Sequence, residues 1–268
     1  MGLEIVVGIK WVPNTQSVNI DPKTGTLIRE GVPSVVNPHD LNAVELALKL
    51  KDRYGGRVTA ISMAPPGAVK GLEFVIGMGV DRGILISDRV FAGADTLATS
   101  YVLANAVKRL MPIDILMFGQ ETLDSSTSHI GAQTASWLHL PYIYYAVDAE
   151  LVGDKTLRVK RMLERKVEVY ELPLPCVVVA AMKSNHPRPV KLSEKIRFKM
   201  EKPVEVWSNK VLNLDPNCIG LRGSPTIVAK SIPTPSIPRK KEVFREGDVK
   251  EAAKWLVDKL LEEEVISL

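Results

Sequence analysis

Residues 113–131 read IDILMFGQETLDSSTSHIG. Ile113–Phe118 is a short apolar run that closes on a glycine. A mostly polar loop, Gly119–Ser128, follows, and a helical pattern begins near His129 and runs to Leu138. A short apolar run bounded by turn residues, then a helical period, reads as strand, loop and helix. In an open α/β sheet, ligands lie beyond the carboxyl ends of the strands. Ser125, Ser126, Thr127 and Ser128 bring four hydroxyls to a helix N-terminus, where free backbone N–H groups favour anions, phosphates above all. Gly131 permits close backbone approach. Asp124 opposes direct phosphate contact and is expected to turn toward loop amides or a ribose hydroxyl. Gln120 opens the loop and joins the candidate set. The same residues also read as an ordinary capped loop, because Ser and Thr are good caps; both readings stand.

The rhythm extends upstream. Glu4–Ile9, Arg57–Met63 and Gly83–Ser87 read as strands. Between them lie a helix from Asn37-Pro38 to Gly55-Gly56 and another over Ala68–Ile76. Asp95 caps a third helix running to about Leu110. Val18–Arg29 reads as a hairpin around Asp21-Pro22 and Thr24-Gly25. Alternation of this kind indicates a mostly parallel sheet with helices on both faces, a three-layer α/β fold. Downstream, Tyr142–Val147 is a fifth strand. Glu150–Val152, Thr156–Leu163 and Arg165–Glu171 read as antiparallel additions at the sheet edge. Pro175–Met182 is a buried-strand run. From Lys183 to Lys241 proline is frequent and strands are scarce, so that stretch is either a tail or an arm over a partner. Asp248–Glu264 closes the chain as an amphipathic helix.

Composition narrows the function. The chain has 268 residues, 46% apolar and 25% charged, with 35 basic against 31 acidic side chains. A balance of +4 is too mild for a nucleic-acid binder. No apolar run approaches the roughly 20 residues of a membrane span. Met1–Lys10 has neither a basic n-region nor a cleavage site, which argues against a signal peptide. Cys176 and Cys218 stand far apart, against a disulfide framework, a zinc site or a dithiol centre. A cytoplasmic protein is expected, reaching any membrane complex only through partners, and its redox work needs a borrowed cofactor. No P-loop is present, Gly77-Met78-Gly79 fails the dinucleotide fingerprint, and His39, His129, His139 and His186 are scattered, so no metal site and no catalytic residue is assigned. Asp95, Thr96 and Thr99 form a second candidate at a helix start, and Asn37 a third, although capping explains both. Lys183–Lys210, with eight basic and three acidic residues, either guides an acidic partner or is a solvated face.

Six segments in register resemble the β subunit of electron transfer flavoproteins: Gly8–Thr15, Asn37–Leu48, Ser87–Ser100, Gly119–Ala135, Asn185–Leu192 and Gly220–Val228. The resemblance implies a Rossmann-like, adenine-nucleotide-binding α/β domain over residues 1–183. Residues 184–268 would be a partner-recognition loop and an extended C-terminal arm with a terminal helix, reaching onto an α subunit. It further implies either AMP or a second FAD in this chain. Phe91–Ser100 resembles the FAD-bearing, electron-bifurcating type fed by NADH. By this likeness Ile9 and Asn37 lie near the adenine, and Asp124, Ser125, Ser126, Thr127 and Gly131 line the diphosphate. Thr96 and Thr99 approach the flavin ring, and Leu192 docks on partner dehydrogenases or on quinone or ferredoxin oxidoreductase subunits. Ser126 departs from a second acidic residue common in bifurcating members, and Ala132 departs from a common proline. The alternatives are a simple carrier with structural AMP fed by acyl-CoA-type dehydrogenases, a universal-stress-like nucleotide module without redox function, and a pyrophosphatase-like enzyme.

Overall fold

In the computed structural model, which describes residues 2–14, 19, 20, 27, 28, 33–227 and 241–267, the apolar runs become strands covered on both faces. In β1 (Leu3–Gly8), Ile5 and Val7 pack on one side of the sheet and Val6 on the other, all buried. Strand side chains alternate, so a run apolar at every position needs cover on both sides. After β1 come β2 (Trp11–Pro13), β3 (Asn19–Ile20), β4 (Leu27–Ile28), β5 (Ser34–Val36), α1 (Pro38–Tyr54), β6 (Gly56–Met63), α2 (Val69–Met78) and β7 (Arg82–Ile86). The chain continues through α3 (Thr96–Lys108), β8 (Ile115–Gly119), α4 (Ile130–Leu138), β9 (Tyr142–Leu151), β10 (Thr156–Met162), β11 (Val167–Pro173) and β12 (Cys176–Ala180). It ends with α5 (Leu192–Glu201), β13 (Val204–Trp207), α6 (Asn209–Leu212) and α7 (Val249–Glu262).

Nine strands form one sheet in the order β11-β10-β9-β12-β8-β1-β6-β7-β13. Its centre is parallel, β1 pairing with both β6 and β8. At one edge β9, β10 and β11 run antiparallel. Val44 and Leu48 of α1 and Leu72 and Val75 of α2 cover one face, against Ile5, Val7 and Val58. Val102 and Val107 of α3 and Ala135 of α4 cover the other, against Val6, Ile61 and Leu116. The fold is the three-layer α/β arrangement that the alternation indicates. The hairpin expected over Val18–Arg29 is represented by β3 and β4, which pair Asn19 with Ile28 and Ile20 with Leu27; its turn lies outside the described residues.

The chain divides into two compact units, Met1–Ile227 and Val228–Leu268. Between Pro203 and Pro216 the chain is free of proline, and its first four residues, Val204–Trp207, form an edge strand in register with β7 from Gly83 to Ile86. α5, just before it, is fixed by Arg197, whose Nη1 donates to the Asp81 carbonyl at 3.0 Å and Nη2 to the Val80 carbonyl at 2.9 Å. The second unit, from Val228, is described from residue 241; Pro233, Pro235 and Pro238 of the expected arm lie outside the described residues. Within that unit Asp248 and Glu251 form a reciprocal cap on α7, and Trp255 packs on Phe244 with ring centroids 5.8 Å apart. Among the described residues no helix is long and apolar enough to cross a membrane.

Candidate functional site

The strand order reverses between β1 and β8. The chain runs outward from β1 through β6 to β7, then returns to lay β8 on the other side of β1. Connections leaving such a point diverge and open a crevice at the carboxyl edge of the sheet. Here that edge is formed by Gly8 and Gly119, with the buried Ile9 directly after β1.

The first turn of α1 is wedged over both strand ends. Asp40, 5% exposed, accepts the Lys10 N–H at 2.7 Å and a further bond from the Gly119 N–H. A side chain on Gly119 would place its Cβ 2.5 Å from Asp40 Oδ1, so only glycine fits beneath this turn. Burial pushes the Asp40 carboxyl up to about 7, against the hydrogen bonds it accepts from Lys10, Asn37 and Gly119. Asn37 occupies the N-cap position yet does not cap with its side chain. Its buried amide instead donates to the Glu121 carbonyl at 2.8 Å and accepts the Leu123 N–H at 3.3 Å, fixing the loop after β8. His39 Nδ1 is buried with no partner among the described residues, and burial lowers the pKa of its ring.

The loop itself is knitted from its own polar groups. Ser126 N–H and Oγ both donate to the Thr122 carbonyl, at 2.9 and 3.1 Å, and the Thr122 and Ser125 hydroxyls lie 2.8 Å apart. Ser126 and Ser128 take positive φ, 47° and 56°. Tyr144 from β9 donates its hydroxyl to the Ser128 carbonyl at 2.8 Å and accepts the Ala132 N–H at 3.1 Å, tying the loop to the start of α4. Asp124 pairs with Lys10 Nζ at 2.7 Å, and although burial raises its carboxyl, the bonds from Lys10, Thr122 and its own backbone N–H together with the Lys10 charge outweigh that and hold it below its usual value. The N–H groups of Thr127, Ser128 and His129 have no acceptor among the described residues. Consecutive free N–H groups beside left-handed residues, at a helix start, form an anion-binding concavity. Next to the loop, a groove of about 480 Å³ is walled by Trp11, Val36, Pro38, Leu41, Phe74 and Leu123, among others.

α3 begins at the same edge of the sheet, because it too follows a parallel strand. Asp95 caps it, Oδ1 accepting the Ala98 N–H at 3.1 Å. Thr96 and Thr99, both half-buried, lie on this first turn. α3 and α4 are joined by Tyr101 packed edge-on to Trp137 and by the Trp137 indole N–H donating to Ser100 Oγ at 3.2 Å.

A family model of the electron transfer flavoprotein domain matches residues 24–212. The chain belongs to the electron transfer flavoprotein family. It is 44% identical to the electron transfer flavoprotein subunit beta of Clostridium acetobutylicum, over 98% of this chain and the whole of that one. It is 40% identical to subunit CarD of the caffeyl-CoA reductase-Etf complex of Acetobacterium woodii, again over 98% of this chain and all of the relative. The acryloyl-CoA reductase electron transfer subunit gamma of Anaerotignum propionicum is 38% identical over the same shares. The function of this electron transfer flavoprotein chain is that of a β subunit.

In this electron transfer flavoprotein chain, Ile9, Asn37, Asp124 and the loop from Gln120 to Gly131 meet at one crevice, Asn37 and Asp124 through direct bonds. Gln120 faces away along the rim, its Oε1 accepting the Met182 N–H at 3.3 Å. Asp95, Thr96 and Thr99 share the edge but have no hydrogen bond to the loop among the described residues. Leu192 stands apart, 74% exposed at the start of α5. Lys10, Asp40 and Tyr144 escape a reading of the sequence, since each acts on a partner far along the chain. Only the lone acidic residue at position 40, in the first turn of a helix beyond a strand, gave a local signal. The chemistry of the donors fits a nucleotide phosphate: free amides and hydroxyls, with Lys10 at the rim and Asp124 neutralised by it. Among the described residues no cluster of metal-ligating groups occurs.

Proposed function

We propose that this β subunit holds FAD in the crevice at the β1–β8 switch point, with the diphosphate on the turn from Asp124 to Gly131 and the adenine toward Ile9 and Asn37. One observation supports this reading: the N–H groups of Thr127, Ser128 and His129, without an acceptor among the described residues, lie by the β1–β8 switch point, where open α/β sheets in general hold their ligands. Ser125, Ser126, Thr127 and Ser128 bring their hydroxyls to the same turn, and Gln120 stands at its start on the rim. Lys10 keeps the Asp124 carboxylate from repelling the phosphates. Thr96 and Thr99 offer hydroxyl donors to the flavin ring, where they favour negative charge. When bound, FAD supplies the redox chemistry, taking a hydride from NADH and passing its two electrons separately to a high-potential and a low-potential acceptor.

The proposed assembly is a cytoplasmic heterodimer with an electron transfer flavoprotein α subunit, docking through Leu192 on a dehydrogenase or oxidoreductase partner. The relatives CarD, of a caffeyl-CoA reductase-Etf complex, and the acryloyl-CoA reductase electron transfer subunit gamma support a partner of that kind. Phe91–Ser100 favours the bifurcating form. Ser126, in place of a second acidic residue, favours the other form, in which AMP occupies the same crevice as a structural ligand. Nucleotides released from the purified heterodimer decide between them. Two FAD per heterodimer are expected. One FAD with one AMP makes the protein a simple carrier, and no nucleotide on this subunit overturns the assignment.

A further inference from the structure

The cap of α3 has more hydrogen-bond donors than a helix cap requires. Capping engages one carboxylate oxygen, and Asp95 Oδ1 serves the Ala98 N–H. The other oxygen, Oδ2, accepts from both the N–H and the Oγ1 of Thr226, at 3.2 and 2.8 Å. The Asp95 N–H in turn donates to Ser224 Oγ at 2.8 Å, and that hydroxyl donates to the Gly220 carbonyl at 2.7 Å. A strap of three residues, 131 positions along the chain from Asp95, thus grips the cap from both sides. These are the last residues before the chain enters its second unit at Val228. Burial raises the Asp95 carboxyl, but the bonds from Ala98, Thr226 and Leu97 outweigh it and hold the group below its ordinary value.

We propose that Thr226 is a positioning residue: through Asp95 it fixes the first turn of α3 and screens the negative charge that this turn presents beside Thr96 and Thr99. Its consequence for the flavin rests on the proposed function, in which those threonines face the ring. Removal of the Thr226 hydroxyl leaves one carboxylate oxygen with a single, longer donor. The turn is then held less firmly, and a less compensated anion stands near the site where reduction adds negative charge. Both effects have a definite sign. Amides of the turn exchange faster, and the flavin of this subunit becomes harder to reduce.

The test uses the complete heterodimer carrying Thr226→Val, which removes only the hydroxyl, and Thr226→Ser, which keeps it. Hydrogen exchange at Leu97, Ala98 and Thr99 should quicken several-fold in T226V and return to the wild-type rate in T226S. Where two FAD are present, the midpoint potential of the β-subunit flavin should fall in T226V and be restored in T226S. A loss of packing alone would not be repaired by serine. Unchanged exchange in T226V overturns the proposal. Quickened exchange with an unmoved potential overturns its flavin part. A preparation holding AMP in place of the second FAD refutes the bifurcating reading by nucleotide count alone, and the exchange data then decide whether the strap positions the turn.

Discussion

Asp40 concentrates the chemistry of the crevice in one side chain. It is a buried carboxyl whose nearest ammonium, Lys10 Nζ, is bonded to Asp124 instead. The donors on Asp40 are backbone N–H groups of Lys10 and Gly119 and the Asn37 side chain. Such bonds stabilise the anion, yet not enough to offset burial, and the carboxyl stands at about 7 against an ordinary 3.8. Between those two values the folded chain holds a proton that the unfolded chain has released. The contribution of Asp40 to stability is therefore fullest below about pH 4, falls as pH rises toward 7 by up to about tenfold in the folding constant per unit, and levels off above. Asp40→Asn removes this titration. The stability of wild type relative to D40N should decline from pH 5 to pH 7 and stay constant from pH 7.5 to 9, as read from urea unfolding. A difference that does not vary with pH would mean that Asp40 ionises as freely as an exposed carboxyl, and the wedge over Gly8 and Gly119 would need another explanation.

At the scale of elements, the loop and α4 are held as one piece. Gly131 is buried against β12, and a Cβ there would come within 2.4 Å of Val179 Cγ2 and 3.1 Å of the Tyr144 hydroxyl. Gly131→Ala must push α4 off the sheet and strain the Tyr144 bridge, at an expected loss of about 1–3 kcal/mol in urea unfolding. Val179→Ala clears the space, so in a double-mutant cycle the pair should show a favourable coupling of roughly 1 kcal/mol. Simple additivity would place the strain elsewhere. The strand, loop and helix here were legible in the sequence because each signal is local: a run closing on Gly119, hydroxyls before an apolar period, Asp95 before α3. What the residues do to one another was not. Asn37 looks like a cap from its neighbours, and only the fold brings it to Glu121 and Leu123. Thr226 carries no local mark of its bond to Asp95. α5 and β13 were hidden for a different reason. α5 starts on Lys191 without a side-chain cap, and β13 is four residues long beside Pro203, so both depend on contacts with α2 and β7 rather than on propensity.

Among the described residues the chain separates into a unit that folds around the sheet and a second unit that supplies no strand to it. Both hydrophobic clusters lie between Leu3 and Ile219, and the nine-stranded sheet is complete at Trp207. α7 buries none of its residues. A helix with an amphipathic pattern and no buried face has its stabilising surface supplied from elsewhere, since most helical stability in proteins comes from packing. The chain ended after Ile227 retains the Asp95 strap and every core residue among those described. It should unfold in one cooperative transition with a Tm within about 5 °C of the full chain, because 1 kcal/mol corresponds to roughly 2–4 °C at this size. In the proposed assembly it should also lose most of its capacity to co-purify with the α subunit. Circular dichroism on heating checks the first expectation and tagged co-purification the second. A truncated chain without a cooperative transition would show that residues 228–268 complete the core. A well-folded truncated chain that still captures the α subunit at full yield would place the heterodimer contact on the sheet domain.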